Sequence, residues 1–409
     1  MSAHEITRCR ICTSDRLVPV LDLGTQVLTG IFPRDADAEI TAGPLVLVKC
    51  QGECGLVQLA HDYDLDEMYG NAYGYRSSLN ASMVRHLAAK VATLRERRPL
   101  EPGDVVLDIG SNDGTTLAQY PADIERIGID PTAAKFASYY PPGVKLRAEF
   151  FNAKAFADVA GAKKARIVTS IAMFYDLPAP LDFVRDVASV LADDGIWHFE
   201  QSYLPQMLEN DAYDTVCHEH LEYYAVRQIQ FMTKQAGLRI VDIQVNDVNG
   251  GSIAITAEKG TGDAPIVATY LAREQELGLD TLAPYEAFAA RVARHRTELR
   301  DLLARLKAEG KKVFGLGAST KGNVVLQYCG IGRDLLPAIA EVNAEKFGCF
   351  TPGTRIPIVS EEQARADAPD VFLVLPWHFR SMFLEREKPF LAGGGRPLFP
   401  LPAVALVGS

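Results

Sequence analysis

The sequence predicts an α/β chain in three parts: a small cysteine-clamped module at the N-terminus, then two doubly wound α/β units. Two observations carry this prediction. Four of the seven cysteines fall in two close pairs, Cys9-x-x-Cys12 and Cys50-x-x-x-Cys54. Strand-like apolar runs alternate with helical patterns from Val105 to about Val241, and the alternation restarts after a long helical stretch, from Lys311 onward. At 409 residues the chain has room for two or three domains of roughly 100 to 200 residues each. Boundaries are placed at 1–78, 79–249 and 250–409.

Composition sets the class. Hydrophobic residues at 48% and charged residues at 23% are those of an ordered globular chain, which excludes collagen-like and disordered readings. A net charge of −10 argues against a broad grip on nucleic-acid phosphates and favours a small acceptor. No run of about 18 apolar residues occurs, and MSAHEITRCR has no apolar stretch behind its charges, so a membrane span and a secretory signal are not expected and the cytoplasm is.

The N-terminal module is a set of short strand-like runs, LVPVLDLG, VLTGIF, LVLVKC and GLVQL. Its core is thin, and a bound metal would supply the missing stability. Two cysteine knuckles suit a tetrahedral zinc, and four thiolates leave no open position for water, so Cys9, Cys12, Cys50 and Cys54 are read as a structural site. The competing account is four unrelated buried thiols. After the stretch HDYDLDEMYGNAYGYRSSLN, the spacing of Met83, Leu87, Val91 and Leu94 predicts a helix that opens the second domain.

That domain carries the segment VVLDIGSNDGTTL from Val105 to Leu117, an apolar strand followed by an acid and a glycine turn. Gly110 and Gly114 allow backbone to approach a ligand, with Asn112 between them, and Asp108 can orient a cationic amino acid end. A dinucleotide fold is the natural rival, but GSNDG is not G-x-G-x-x-G. The next strand ends at Asp130, where a carboxylate can take both ribose hydroxyls. Glu149, Phe150 and Phe151 follow the third strand and can contact an adenine. Together these segments look like the cofactor site of a class I S-adenosylmethionine-dependent methyltransferase with a Rossmann-like fold.

The densest polar cluster is DTVCHEHLEYY, from Asp214 to Tyr224. A metal reading of His218 and His220 lacks an obvious third ligand, whereas His220 beside Glu219 supplies a base with an orienting carboxylate. Residues 264 to 308 read as long helix. Beyond it, GLGASTKG at Gly315 to Gly322 starts a second Rossmann-like unit. Its turn either cradles a diphosphate with Lys321 close by or is kept for packing, and Asn343, Lys346 and Thr354 stand in the same position. Cys329 and Cys349 are read as buried apolar thiols.

The whole chain resembles the three-domain sugar C-methyltransferases that act on nucleotide-linked 4-keto deoxysugars. The resemblance rests on the paired cysteines, DIGSNDG, FEQSYL at Phe199 to Leu204, HEHLEYY, GGS at Gly250 to Ser252, GLGASTKGN, EVNAEKFGCFTPGTRIPI at Glu341 to Ile358, and LPWHFR at Leu375 to Arg380. It implies that His220 removes the proton beside the ketone with Glu219 as neighbour, and that Glu200, Tyr203, Lys321, Asn323, Asn343 and Lys346 hold the sugar nucleotide, with dTDP the expected carrier. Some members have a tyrosine where this chain has Cys217, and a histidine in the turn that reads Phe174-Tyr175-Asp176 here. Those departures leave the acid unassigned and make Tyr75, Tyr175 and Tyr224 candidates for orienting the enolate or the sugar. An O- or N-methyltransferase and a zinc-ribbon scaffold are the rival functions; the oligomeric state stays open, a monomer being compatible.

Overall fold

The computed structural model describes residues 3–64, 68 and 76–408. Its second domain is a seven-stranded sheet in the order Leu238–Asn246, Ser252–Lys259, Leu191–Ser202, Ala165–Ile171, Val105–Ile109, Glu125–Ile129, Lys145–Arg147. Ser252–Lys259 runs antiparallel to both neighbours and the strands from Leu191–Ser202 through Lys145–Arg147 are mutually parallel. The five residues of Val105–Ile109 are all buried, as a strand covered on both faces must be. Helix Ala81–Arg97 buries Met83, Leu87, Val91 and Leu94, the stripe its spacing predicts, and Asn80 caps it by accepting from the Ser82 amide. Because Ser252–Lys259 pairs with Leu191–Ser202 over seven residues, this sheet continues past the 249/250 boundary.

The N-terminal module is a four-stranded antiparallel sheet in the order Glu222–Tyr223, Val57–Leu59, Ala42–Cys50, Leu17–Val27. Its outermost strand comes from the HEHLEYY segment: Glu222 pairs with Gln58 and Tyr223 with Val57. The polar cluster of the second domain is thus stitched into the cysteine-bearing sheet, and the larger of two apolar clusters runs from Cys9 to Leu401 through all three parts.

The predicted helix at 264 to 308 is two helices, Pro265–Glu276 and Ala283–Ala308, because Gly278 takes a positive φ of 69° that only glycine adopts cheaply. The third domain is a six-stranded sheet in the order Ile358–Ser360, Ile339–Glu341, Val313–Leu316, Val371–Val374, Arg396–Phe399, Ala405–Leu406, parallel except at the last strand. It is sewn to the first by the Gln327 side chain, which accepts from the Val27 amide at 2.9 Å and donates to the Val27 carbonyl at 3.2 Å. No helix among the described residues is long and apolar enough to cross a membrane.

Candidate active site

Strand ends of the seven-stranded sheet, the HEHLEYY segment and the start of helix Thr320–Cys329 enclose a cavity of about 360 Å³. Its wall includes Asp108, Gly110, Asn112, Asp130, Phe150, Phe151, Tyr175, Glu200, Glu219, His220 and Lys321. Residues of the second and third domains therefore meet in one space.

Asp108 is buried at the end of its strand, with the Thr169 hydroxyl donating to it at 2.5 Å. Burial pushes its carboxyl up to about 7, against the pull of the Thr169 and Thr116 hydroxyls, with the Asp130 charge adding to the rise. Such an acid gains from a cationic ligand. Asp130 is largely spent on the turn itself. Its Oδ1 accepts from the Thr132 amide at 2.6 Å and hydroxyl at 2.5 Å, and its Oδ2 accepts from the Asn112 amide at 2.9 Å. With about four acceptor sites on a carboxylate, one remains, so Asp130 has room for one ribose hydroxyl where the sequence suggested two.

The two glycines of the turn have different duties. A Cβ on Gly110 would lie 2.9 Å from Met173, which is on the cavity wall, whereas one on Gly114 would strike the Tyr140 ring at 2.6 Å. Gly114 does not line the cavity. Glu149 is also turned away, paired with Arg147, and it is Phe150 and Phe151 that reach the wall.

Glu200 accepts from His86 at 2.5 Å, from Lys90 at 2.6 Å and from Asn246 at 2.7 Å. Burial alone would raise its carboxyl, but His86 and Lys90 outweigh burial and hold it down at about 2. His86 and Lys90 stand one turn apart on a single helix, an i, i+4 pair that sequence reading passed over.

His220 Nδ1 donates to the Thr215 carbonyl at 2.7 Å, which leaves Nε2 as the basic nitrogen. The orienting partner is a backbone carbonyl and not Glu219. Burial, with Lys321 adding its charge, pushes the imidazole down to about 3, so it is neutral and able to accept a proton. The Tyr175 ring lies 4.2 Å from the His220 ring, centre to centre. Glu219 faces Gly30 of the N-terminal module, where a Cβ would come within 2.9 Å of its Oε1, and burial holds its carboxyl above the usual range. Lys321 Nζ donates to the Asn249 carbonyl at 2.7 Å.

Other predicted residues lie elsewhere. Tyr224 is fully buried, stacked on Phe174 at 5.1 Å, with no partner for its hydroxyl among the described residues. His218 is buried edge-on against Tyr63. Tyr203 donates to Glu274 at 2.8 Å; Asn323 donates to the Thr29 carbonyl at 2.8 Å; Asn343 caps a short helical turn by accepting from the Glu345 amide; and Lys346 donates to the Ala318 carbonyl at 2.7 Å. None of these lines the cavity, and each serves packing or a domain seam. Tyr75 falls outside the described residues.

The residues fit the cofactor that the fold implies. Asp108, buried and without an ion pair among the described residues, lines the cavity together with Asp130, which keeps about one acceptor site, and the Phe150 ring, an arrangement suited to an ammonium, a ribose and a base. The four cysteines fit zinc. Their sulfurs all lie within 4.8 Å of one another, with close approaches of 3.3 and 3.5 Å, near the roughly 3.8 Å that a tetrahedral zinc 2.3 Å from each thiolate imposes. The thiols of Cys50 and Cys54 pull Cys9 below the usual range, while Cys54 is pushed up; a divalent cation resolves that conflict.

Three family models match successive parts of the chain. Residues 9–69 match a zinc binding domain model, residues 81–243 a methyltransferase domain model, and residues 247–402 the model of a C-methyltransferase C-terminal domain. The C-methyltransferase NovU of Streptomyces niveus is 33% identical over 411 aligned residues, covering 99% of this chain and 97% of NovU. Among solved structures, an S-adenosylmethionine-dependent methyltransferase from Clostridium acetobutylicum is 14% identical, covering 44% of this chain and 92% of its own, with a TM-score of 0.34. The YcgJ protein of Bacillus subtilis is 16% identical, covering 44% and 100%, with a TM-score of 0.34.

Proposed function

The chain belongs to the C-methyltransferase family, as an S-adenosylmethionine-dependent enzyme with a zinc-binding N-terminal domain, and on that premise we propose that it methylates the carbon beside the ketone of a nucleotide-linked 4-keto deoxysugar, with His220 as base. The observation that carries this reading is the commitment of His220 Nδ1 to the Thr215 carbonyl, which presents a neutral Nε2 to the same cavity as Asp108 and Asp130. The carbon beside a ketone is a nucleophile only once deprotonated, so such a reaction needs a positioned base.

When bound, S-adenosylmethionine supplies an electrophilic methyl group. Asp108, the turn from Gly110 through Asn112, Asp130 and Phe150 would hold it, while Glu200 and Lys321 lie on the wall available to the sugar. An imidazole held at about 3 by burial becomes more basic as an enolate charge grows beside it, because an anion stabilises the imidazolium. The ring of Tyr175 against His220 limits the imidazole's swing and keeps Nε2 aimed.

The test is an isotope count. A 4-keto sugar nucleotide carrying deuterium at the carbon next to the ketone should lose one deuteron for every methyl gained. A methylated product that keeps all its deuterium would assign the methyl to oxygen or nitrogen and overturn the proposal.

A further inference from the structure

The C-terminal glycine turn has the form of a phosphate cradle, yet the protein fills it. A Cβ on Gly317 would lie 2.6 Å from Pro376 and one on Gly322 2.7 Å from Leu375, so neither glycine opens space for a ligand. Lys346 Nζ occupies the Ala318 carbonyl, and the Glu341 carboxylate accepts the amides of Ala318, Val342 and Asn343 at 2.7 to 2.9 Å. The acid that could bind a ribose there is satisfied from within.

Lys321, the cation of that turn, serves a different space. It sits in the first turn of helix Thr320–Cys329, whose cap is Ser319, and lines the methyl-transfer cavity together with Thr320, Asn249, Ser252 and His220. Among the described residues its one hydrogen bond goes to the Asn249 carbonyl, and it forms no ion pair. Two of the three N–H donors of its ammonium remain, at the side of the cavity that holds the base. Asp214 is close enough to act on the Lys321 charge, but it forms no ion pair with it among the described residues, and its Oδ2 accepts from Trp377 Nε1 at 2.7 Å.

We propose that Lys321 is a catalytic residue, its ammonium donating to the ketone oxygen of the substrate and holding the enolate charge that forms when His220 takes the neighbouring proton. This rests on the C-methylation reading above. A ketone oxygen is two bonds from the carbon that loses the proton, so a cation beside the base falls beside that oxygen, whereas the diphosphate leaves from the far end of the sugar. The carbon–hydrogen bond breaks toward His220 Nε2, and its electron pair moves into a carbon–carbon double bond as the carbonyl becomes an oxyanion at Lys321. The pair then forms the new carbon–carbon bond to the methyl as the carbon–sulfur bond breaks; the ketone is restored and the proton passes from His220 to solvent. In a site stripped of water a fixed charge acts on the developing oxyanion far more strongly than in bulk.

The experiment compares wild type with Lys321→Met, of similar length and uncharged, and with Lys321→Arg. Lys321→Met should bind S-adenosylhomocysteine and dTDP as wild type does, lower kcat by about 10²- to 10³-fold with KM for the sugar nucleotide little changed, and slow deuterium exchange at the α-carbon in D₂O in parallel. Lys321→Arg should recover part of the rate. Unchanged kcat with raised KM and weaker dTDP binding would make Lys321 a diphosphate ligand and overturn the assignment while leaving C-methylation standing. If Lys321→Met fails to bind S-adenosylhomocysteine, the kcat and KM of Lys321→Arg decide by the same split. A wild-type product that keeps its α-deuterium would overturn both readings at once.

Discussion

Replacing Asp130 by alanine isolates the cofactor's ribose contact. The carboxylate accepts two bonds from Thr132 and one from the Asn112 amide, which leaves about one acceptor site for a hydroxyl. A hydrogen bond to a charged acceptor contributes about 1.5 to 3 kcal/mol. At about 1.4 kcal/mol per decade, the lost bond lowers affinity by roughly 10- to 150-fold. The variant also strips the Asn112 amide of its acceptor and loosens the glycine turn, so the ribose share must be separated. Calorimetry with S-adenosylhomocysteine and with its deoxyribose analogues does this. Removing the bonded hydroxyl should weaken binding to wild type but not to Asp130→Ala, and only one of the two ribose hydroxyls should show the effect. Equal losses in both proteins would mean that Asp130 shapes the turn without touching the ribose, and unchanged affinity in Asp130→Ala would remove the cofactor from this strand end.

Metal content is the next check: the pure protein should carry one zinc per chain, and Cys50→Ser should lower Tm before it lowers cofactor affinity, since the metal closes a module with little core of its own. A metal-free wild type that is folded and active would refute this. The pH profile follows from the state of His220. Its folded value is depressed by burial and then by Lys321 to about 3, so the base is present at neutrality and is lost only as pH falls toward that value. With S-adenosylmethionine saturating, so that Asp108 is already paired with its ligand, the acid limb of kcat/KM for the sugar nucleotide should lie well below the usual imidazole range of about 6.5, and Lys321→Met should move it upward by removing a cation. A limb near the ordinary value, unmoved in Lys321→Met, would contradict the burial of the base.

Residues at strand ends were the legible part of this site. Asp108, Gly110 and Asp130 follow apolar runs whose length and order define a sheet, and the backbone of such a sheet delivers whatever follows its strands to one edge. The paired cysteines were legible for a similar reason, their spacing being set by the turns that carry them. Tyr224 and Tyr203 show where reading stops. Each sits in a motif dense with reactive groups, yet Tyr224 stacks beneath Phe174 and Tyr203 bonds Glu274, because local sequence does not say which side of a domain seam a side chain faces. Asn323 was placed at a substrate but bonds the Thr29 carbonyl 294 residues away, a partner no window of sequence contains. The orienting group for His220 is a backbone carbonyl, common to every residue and therefore silent in any motif. His86 and Lys90 had a signal, their spacing on a helix, but the partner that gives it meaning, Glu200, lies on a strand more than a hundred residues on.

The base itself is tested by His220→Ala, measured for cofactor affinity and turnover in the same preparation. Asp108 and Asp130 are untouched by the substitution, so S-adenosylhomocysteine should bind as it does to wild type, while carbon methylation of the 4-keto sugar nucleotide falls by the roughly 10²- to 10⁴-fold that loss of a general base costs. Near-normal methylation by His220→Ala would contradict the account and move proton abstraction to another group on the same wall.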